Sequence, residues 1–281
     1  MRTARLAAFD ERGVVNSIGI QIVGIMLVKN EDRFLRQAAC NVMEFCDRIL
    51  IADHQSTDGT FEIAQELALS SPKIEARRIR DPRESNDMLQ PFVSTPTWVL
   101  GVDGDELYDV AGLAKTRAAL AAGRWREWWV VFGNVLNCSE LDPERRIARG
   151  WLAPPCRSMT KLYNFAAVQR LDPDSTQRLM GRHDVFVPGY SAGLRHEIYK
   201  TTAWDDAEFR CLHTCFLPRS SRQPEGQAAR ENITELRKHS PLAFLRRIVA
   251  RLAGRGAESQ WKYEKYRRGD LVTVDASPFF P

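Results

Sequence analysis

Asp103, Asp105, Glu106 and Asp109 crowd into seven residues of the stretch TWVLGVDGDELYD, directly behind the apolar Trp98, Val99, Leu100 and Val102. Like charges gathered at the end of an apolar strand repel one another unless something positive lies among them. Oxygen donors of this type suit a hard divalent cation such as Mg²⁺ or Mn²⁺. The same residues also read as a solvated acidic turn capping the next helix, since Asp and Glu are favoured there. Two upstream clusters resemble this one in placement. Lys29, Asn30 and Glu31 follow the apolar run IVGIMLV, and Asp53, His54 and Ser56 follow DRILIAD.

The elements that must carry these clusters alternate. Ile22 to Val28 is a short, wholly apolar run, as expected of a strand covered on both faces. Phe34, Leu35, Ala38, Ala39, Val42, Phe45 and Cys46 then recur at helical spacing, and Asp47 to Asp53 is a second buried strand. The turn STDGT leads to a helix marked by Phe61, Ile63, Ala64, Leu67 and Ala68; strands follow at Ile74 to Ile79 and Trp98 to Val102. This alternation predicts an α/β domain with a Rossmann-like, mostly parallel central sheet flanked by helices. In such sheets ligands bind at the carboxyl ends of the strands, so Lys29, Asp53 and Asp103 should share one edge.

With that order in place, VKNEDRFL, IADHQSTDGT and VLGVDGDEL resemble the nucleotide-sugar-binding half of family 2 glycosyltransferases of the GT-A fold. The resemblance covers about Ile20 to Tyr108. His54-Gln55 and Gly104 depart from the usual family wording, which is closer to D-x-x-S-x-D-G-T and D-A-D-E. Weaker likenesses follow at MTKLYNF, GRHD and CLHTCFLPRSS. The resemblance implies a metal-dependent transfer of a sugar, with inversion, from a UDP-, GDP- or dTDP-sugar to an acceptor hydroxyl. Asp105 would ligate Mn²⁺ or Mg²⁺, with Asp103 facing the ribose or the metal's waters. An added imidazole from His213 would tilt the choice toward Mn²⁺. Val28, Asn30, Glu31 and Asp53 would form the nucleotide pocket, Arg83 would lie near the phosphates, and Arg219 would clamp the pyrophosphate.

The second half should hold the acceptor site. Trp128 to Leu136 and SMTKLYNF read as strands, and the Pro- and Arg-rich segment from Ser139 to Arg157 as a long loop. Inversion needs a carboxylate to take the acceptor's proton. The candidates are Asp184, Glu197, Asp205 and Asp206. Asp184 in GRHD is favoured, and Glu197 in LRHE fits the same wording; His183 and His196 read more simply as structural histidines.

The chain of 281 residues, 44% apolar and 27% charged, divides into a 1–19 extension, a 20–110 nucleotide half, a 111–222 acceptor half and a basic, helical 223–281 extension. Disorder and fibrous repeats are excluded. Six cysteines without a CxxC pair predict reduced thiols, and with no apolar run long enough to span a bilayer the expectation is a cytoplasmic protein. The basic residues from Arg246 to Arg268, interleaved with Trp261, Tyr263 and Tyr266, read as a solvated helix. Peripheral contact with an anionic membrane is the second reading, and no nucleic-acid partner is expected. Leu242, Leu245, Ile248, Val249 and Leu252 give that helix an apolar face.

Two other functions fit a related α/β sheet. A nucleotidyltransferase would want a Gly-rich, basic first loop, whereas LVKNEDRFL has no glycine and an acidic excess. A non-catalytic binding protein would have no use for Asp103, Asp105 and His213 together, because unused buried charges are costly.

Overall fold

Seven consecutive residues without a charge, Ile22 to Val28, must be covered on both faces, and in the computed structural model they are all buried. The structure describes residues 19–176, 183–223 and 265–280. Its first half runs β1 (Gln21–Val28), α1 (Leu35–Asn41), β2 (Arg48–Asp53), α2 (Thr60–Ser70), β3 (Ile74–Arg78), α3 (Glu84–Asp87), β4 (Thr97–Val102), β5 (Glu106–Tyr108) and α4 (Val110–Ala121). The second half contributes β6 (Val130–Phe132), β7 (Asn134–Asp142), β8 (Ile147–Ala153), β9 (Lys161–Asn164), β10 (Val168–Arg170), β11 (Val185–Phe186), β12 (Arg195–Glu197), β13 (Arg210–His213) and β14 (Leu271–Asp275).

The central sheet has the order β12-β6-β9-β4-β1-β2-β3, and every strand except β9 runs the same way. The fold is therefore α/β with a mostly parallel sheet, as the alternation predicts. Register fixes the functional edge: Val28 pairs with Asp53, and Met26 with Val102. Lys29, Asp53 and Asp103 thus leave the sheet at the same edge. The fully buried side chains of β1, β2 and β4 form its middle.

A second sheet, β14-β8-β7-β13-β5, begins where the acidic loop ends. β4 runs through Asp103 to Asp105 directly into β5, so this loop joins the two sheets. β13 lies antiparallel to β5 and parallel to β7, pairing His213 with both Glu106 and Asn137. Asp109 caps α4 by accepting from the Gly112 amide at 2.8 Å, and is held by Arg210 at 2.9 Å. The capping reading is right for Asp109 alone among the four acids.

Three expectations are corrected. Ser139 to Arg157 is no lid or loop: most of it is the β7–β8 hairpin. Its turn is set by Asp142, whose Oδ1 accepts from the Glu144 and Arg145 amides, followed by Pro143. Trp128 to Leu136 is not one strand, because β6 and β7 belong to different sheets and meet at Gly133. A Cβ there would lie 2.0 Å from Phe209 O, so the crossing needs a residue without a side chain. The 223–281 segment is not helical throughout either. Leu271–Asp275 is β14, paired with β8, while the apolar face from Leu242 to Leu252 and the basic residues from Arg246 to Lys262 lie outside the described residues.

The six cysteines are free, with Cys40 exposed and the others buried. No helix among the described residues is long and apolar enough to cross a membrane.

Candidate functional site

The loops after β1 and β2 brace each other. Asn30 adopts a positive φ of 54°, a conformation Asn tolerates well. Its amide donates to Ser56 Oγ (2.9 Å) and its Oδ1 accepts from the Thr57 amide (2.8 Å). The Glu31 amide donates to Thr60 Oγ1 at 2.7 Å. Asn30, expected in the nucleotide pocket, is thus a brace between these two loops. The DGT motif is held in turn from the far end of the chain: Ser220 Oγ donates to Asp58 Oδ2 at 2.5 Å, and Ser221 is bound by Asp32.

Asp53, fully buried, accepts from the Ser56 amide and from Arg78 Nε at 3.0 Å. The Arg78 guanidinium also lies 4.0 Å from the centre of the Phe61 ring. An apolar plane, a cation and a carboxylate therefore meet at the end of β2 and β3.

At the end of β4 the charges alternate. Asp103 Oδ1 accepts from Lys161 Nζ at 3.3 Å, and both side chains are almost wholly buried. Glu106 Oε2 accepts from the Asp103 amide and from the Tyr108 hydroxyl, each at 3.1 Å. Its Oε1 is buried with no hydrogen-bond partner. Burial pushes the Glu106 carboxyl up to about 8, Lys161 pulls it down, and Asp103 raises it further.

Asp105 is fully buried. Its Oδ2 lies 2.8 Å from an Arg219 nitrogen that also reaches Glu31 Oε1 at 3.3 Å, and 3.9 Å from His213 Nε2. His213 is aimed by its neighbour in register: Nδ1 lies 3.0 Å from Asn137 Oδ1, while Asn137 Nδ2 donates to Trp151 O. The Asn137 oxygen thus orients the imidazole with Nε2 toward the Asp105 carboxylate. Tyr266 packs edge-on against the same imidazole, ring centres 5.5 Å apart.

This donor set fits Mn²⁺ or Mg²⁺. An imidazole nitrogen and a carboxylate oxygen, both donor types these ions accept, face each other 3.9 Å apart. Asp103, Asp105 and Glu31 are buried together beside Lys161 and Arg219. No group of three or more His, Cys, Asp or Glu side chains among the described residues could hold an ion. Protein ligands would be two, Asp105 and His213, as suits a metal completed by phosphates.

Other candidates fall elsewhere. Val28, at the end of β1, touches the site through Gly104: a Cβ on Gly104 would lie 3.1 Å from Val28 Cγ1 and 2.2 Å from Glu31 Oε2. Arg83 is a surface cation held by Asp81 and Asp174. Asp184 Oδ1 accepts the Asp172 amide at 2.8 Å, beside the β10–β11 pair. Glu197 ends β12 at the same sheet edge as Asp103, three strands along, or about 14 Å. It is held by Lys200 Nζ (2.6 Å) and the Tyr199 hydroxyl (3.1 Å), and the Lys200 hydrogen bond lowers its pKa. His196 stacks on Trp128, a structural role. Asp205 is exposed and 4.0 Å from Arg210.

Sequence reasoning missed Lys161, Arg78 and Asn137. A lysine opening the strand pattern KLYNF was the available signal for the first; the other two become visible only through strand register.

No protein-family model matches the chain, and no curated protein matches it. Solved structures similar to it include a mannosyltransferase from Pyrobaculum calidifontis in complex with GDP-Man and Mn²⁺, at 17% identity and TM-score 0.32, over 43% of this chain and 36% of that one. Another is glucosyl-3-phosphoglycerate synthase from Mycobacterium tuberculosis with Mn²⁺, UDP and glucosyl-3-phosphoglycerate, at 15% identity and TM-score 0.30, over 46% and 50%. A third is 4-diphosphocytidyl-2C-methyl-D-erythritol synthase from Anaerococcus prevotii, at 12% identity and TM-score 0.33, over 52% and 71%. The chain spans about a third of the length of the first of these and half of the second. Function is therefore read from this chain's own residues.

Proposed function

We propose that this chain is a metal-dependent glycosyltransferase that moves a sugar from a UDP-, GDP- or dTDP-sugar to an acceptor hydroxyl with inversion. The observation that carries the reading is Asp105 Oδ2 facing His213 Nε2 across 3.9 Å at the carboxyl edge of the sheet. Bound there, Mn²⁺ or Mg²⁺ would neutralise charge on the leaving diphosphate. The chain's residues do the rest. Asp53, Arg78 and Phe61 receive the nucleoside, and Lys161 and Arg219 bring two buried cations toward the diphosphate. The bond from the anomeric carbon to the phosphate oxygen breaks as the acceptor oxygen bonds to that carbon, and a carboxylate takes the acceptor's proton.

For that base we favour Glu197 over Asp184. Glu197 stands at the same edge as Asp103, whereas Asp184 lies beside the β10–β11 pair. Glu197→Gln should remove transfer while sparing donor binding, and Asp184→Asn should leave transfer intact; the reverse pattern would restore Asp184.

Titration calorimetry with UDP and GDP, with and without Mn²⁺, tests the reading itself. Asp105→Asn, which keeps the shape of the side chain, and His213→Gln should each abolish the Mn²⁺-dependent part of binding. Wild-type Mn²⁺-dependent affinity in Asp105→Asn sinks the assignment.

A further inference from the structure

The turn that carries Asp103 and Asp105 is gripped on its backbone from both ends. Gly104, its middle residue, has no side chain to brace the turn and leaves the backbone freer than any other residue would. Glu106 closes the first half. Its amide donates to Asp103 O at 3.0 Å, and its carboxyl Oε2 accepts from the Asp103 amide at 3.1 Å. The same oxygen accepts from the Tyr108 hydroxyl, and the Tyr108 ring stacks on Phe209 with centres 5.7 Å apart. Both rings are buried, so Glu106 is itself anchored in the core.

Thr214 closes the second half. Its amide and its hydroxyl both donate to Asp105 O, at 2.9 and 3.2 Å. The ladder between β5 and β13, which brings His213 opposite Glu106, is thereby carried one residue further onto the turn. Thr214 also follows His213 directly in the chain. One residue therefore ties the backbone of Asp105 to that of His213.

Stability alone is a poor reason for these two residues. Both are fully buried. A carboxyl among other acids is costly to bury, and an apolar side chain of similar volume would fill its place at lower cost. Valine would fill the place of Thr214 at the end of a strand equally well.

We propose that Glu106 and Thr214 are positioning residues that hold Asp105 Oδ2 and His213 Nε2 facing each other, the arrangement that a divalent cation bound by both requires. The cation rests on the glycosyltransferase reading. Glu106 fixes where the turn leaves β4, and Thr214 fixes where it meets β13.

Titration calorimetry on the full chain reads this role, with UDP or GDP, whichever the wild type binds more tightly, in Mn²⁺ and in EDTA. Thr214→Val keeps the shape and the amide bond and loses the hydroxyl. It should weaken nucleotide binding in Mn²⁺ by about three- to tenfold, the worth of one buried hydrogen bond, and leave binding in EDTA unchanged. Thr214→Ser should restore the Mn²⁺-dependent part. Glu106→Gln, which keeps an acceptor for the Asp103 amide, should bind as the wild type does, while Glu106→Met should lose about tenfold or more of the gain from Mn²⁺. If Glu106→Met does not fold, the two Thr214 variants decide alone. Equal losses in Mn²⁺ and in EDTA would mark a merely structural role and overturn the proposal, as would full Mn²⁺ dependence in Thr214→Val. A wild type without Mn²⁺-dependent binding would remove the glycosyltransferase reading and this proposal together; a wild type that shows it, with variants equal to it, would remove the proposal alone.

Discussion

Gly104 and Glu31 share one volume. The sequence departs from its apparent family pattern at Gly104, where an alanine is usual, and the structure supplies a reason: the Glu31 carboxylate occupies the place a methyl group would take. Gly104→Ala should therefore push Glu31 Oε2 aside and disturb its contact with Arg219. The expected cost is about 1–3 kcal/mol in urea unfolding, as for other overpacked interiors. A variant as stable as the wild type would show that Glu31 swings away freely. At this scale the acids were legible, because Asp53, Asp103 and Asp105 announce themselves by following apolar runs. Asn137 was not. A single Asn in a β-rich stretch carries no local sign that a strand 76 residues later will place a histidine beside it.

Among the elements, the parallel core was legible from its uninterrupted apolar runs, while the second sheet was not. β13 and β5 are short, and their pairing is decided by contacts distant in sequence. The edge strand β12 shows how one element is secured: His196 stacks on Trp128 (5.2 Å, 20°) and lies tilted on Trp125 (6.0 Å). Burial lowers its pKa, with Glu127 opposing and Arg124 reinforcing the shift. The unfolded state then holds the proton more tightly than the folded one. Stability from this group is fully present above the unfolded value near 6.5 and is lost as pH falls through the folded value. His196→Phe should flatten that decline, seen as a smaller difference in unfolding free energy between about pH 7.5 and pH 5. An unchanged difference would mean that the aromatic clamp does not select the neutral imidazole.

The molecule as a whole is tied together by its last described residues. Phe279 is fully buried, stacks on Trp204 at 5.9 Å and lies under the Arg210 guanidinium. Its carbonyl accepts from Asn41 Nδ2, while Asn41 Oδ1 accepts from the Tyr108 amide of β5. Phe279→Ala should cost about 3–5 kcal/mol in chemical denaturation, as for other buried aromatics truncated to alanine. A loss below about 1 kcal/mol would show that this end contributes little to the fold. Charge dominates the sequence of residues 223–281, and that concealed the few apolar side chains that anchor its end.

The contact between Asn41 and Phe279 has a consequence in time. It joins residues 238 apart, and Arg219 reaches Asp105 across 114. Contacts of that separation form late, because loop-closure entropy must be met before they reward the chain. During synthesis β1, β2 and β4 emerge first and can pair, yet the carboxylates at their ends must wait for Lys161, His213 and Arg219 to be made. In that interval the nascent chain carries an unneutralised acidic edge.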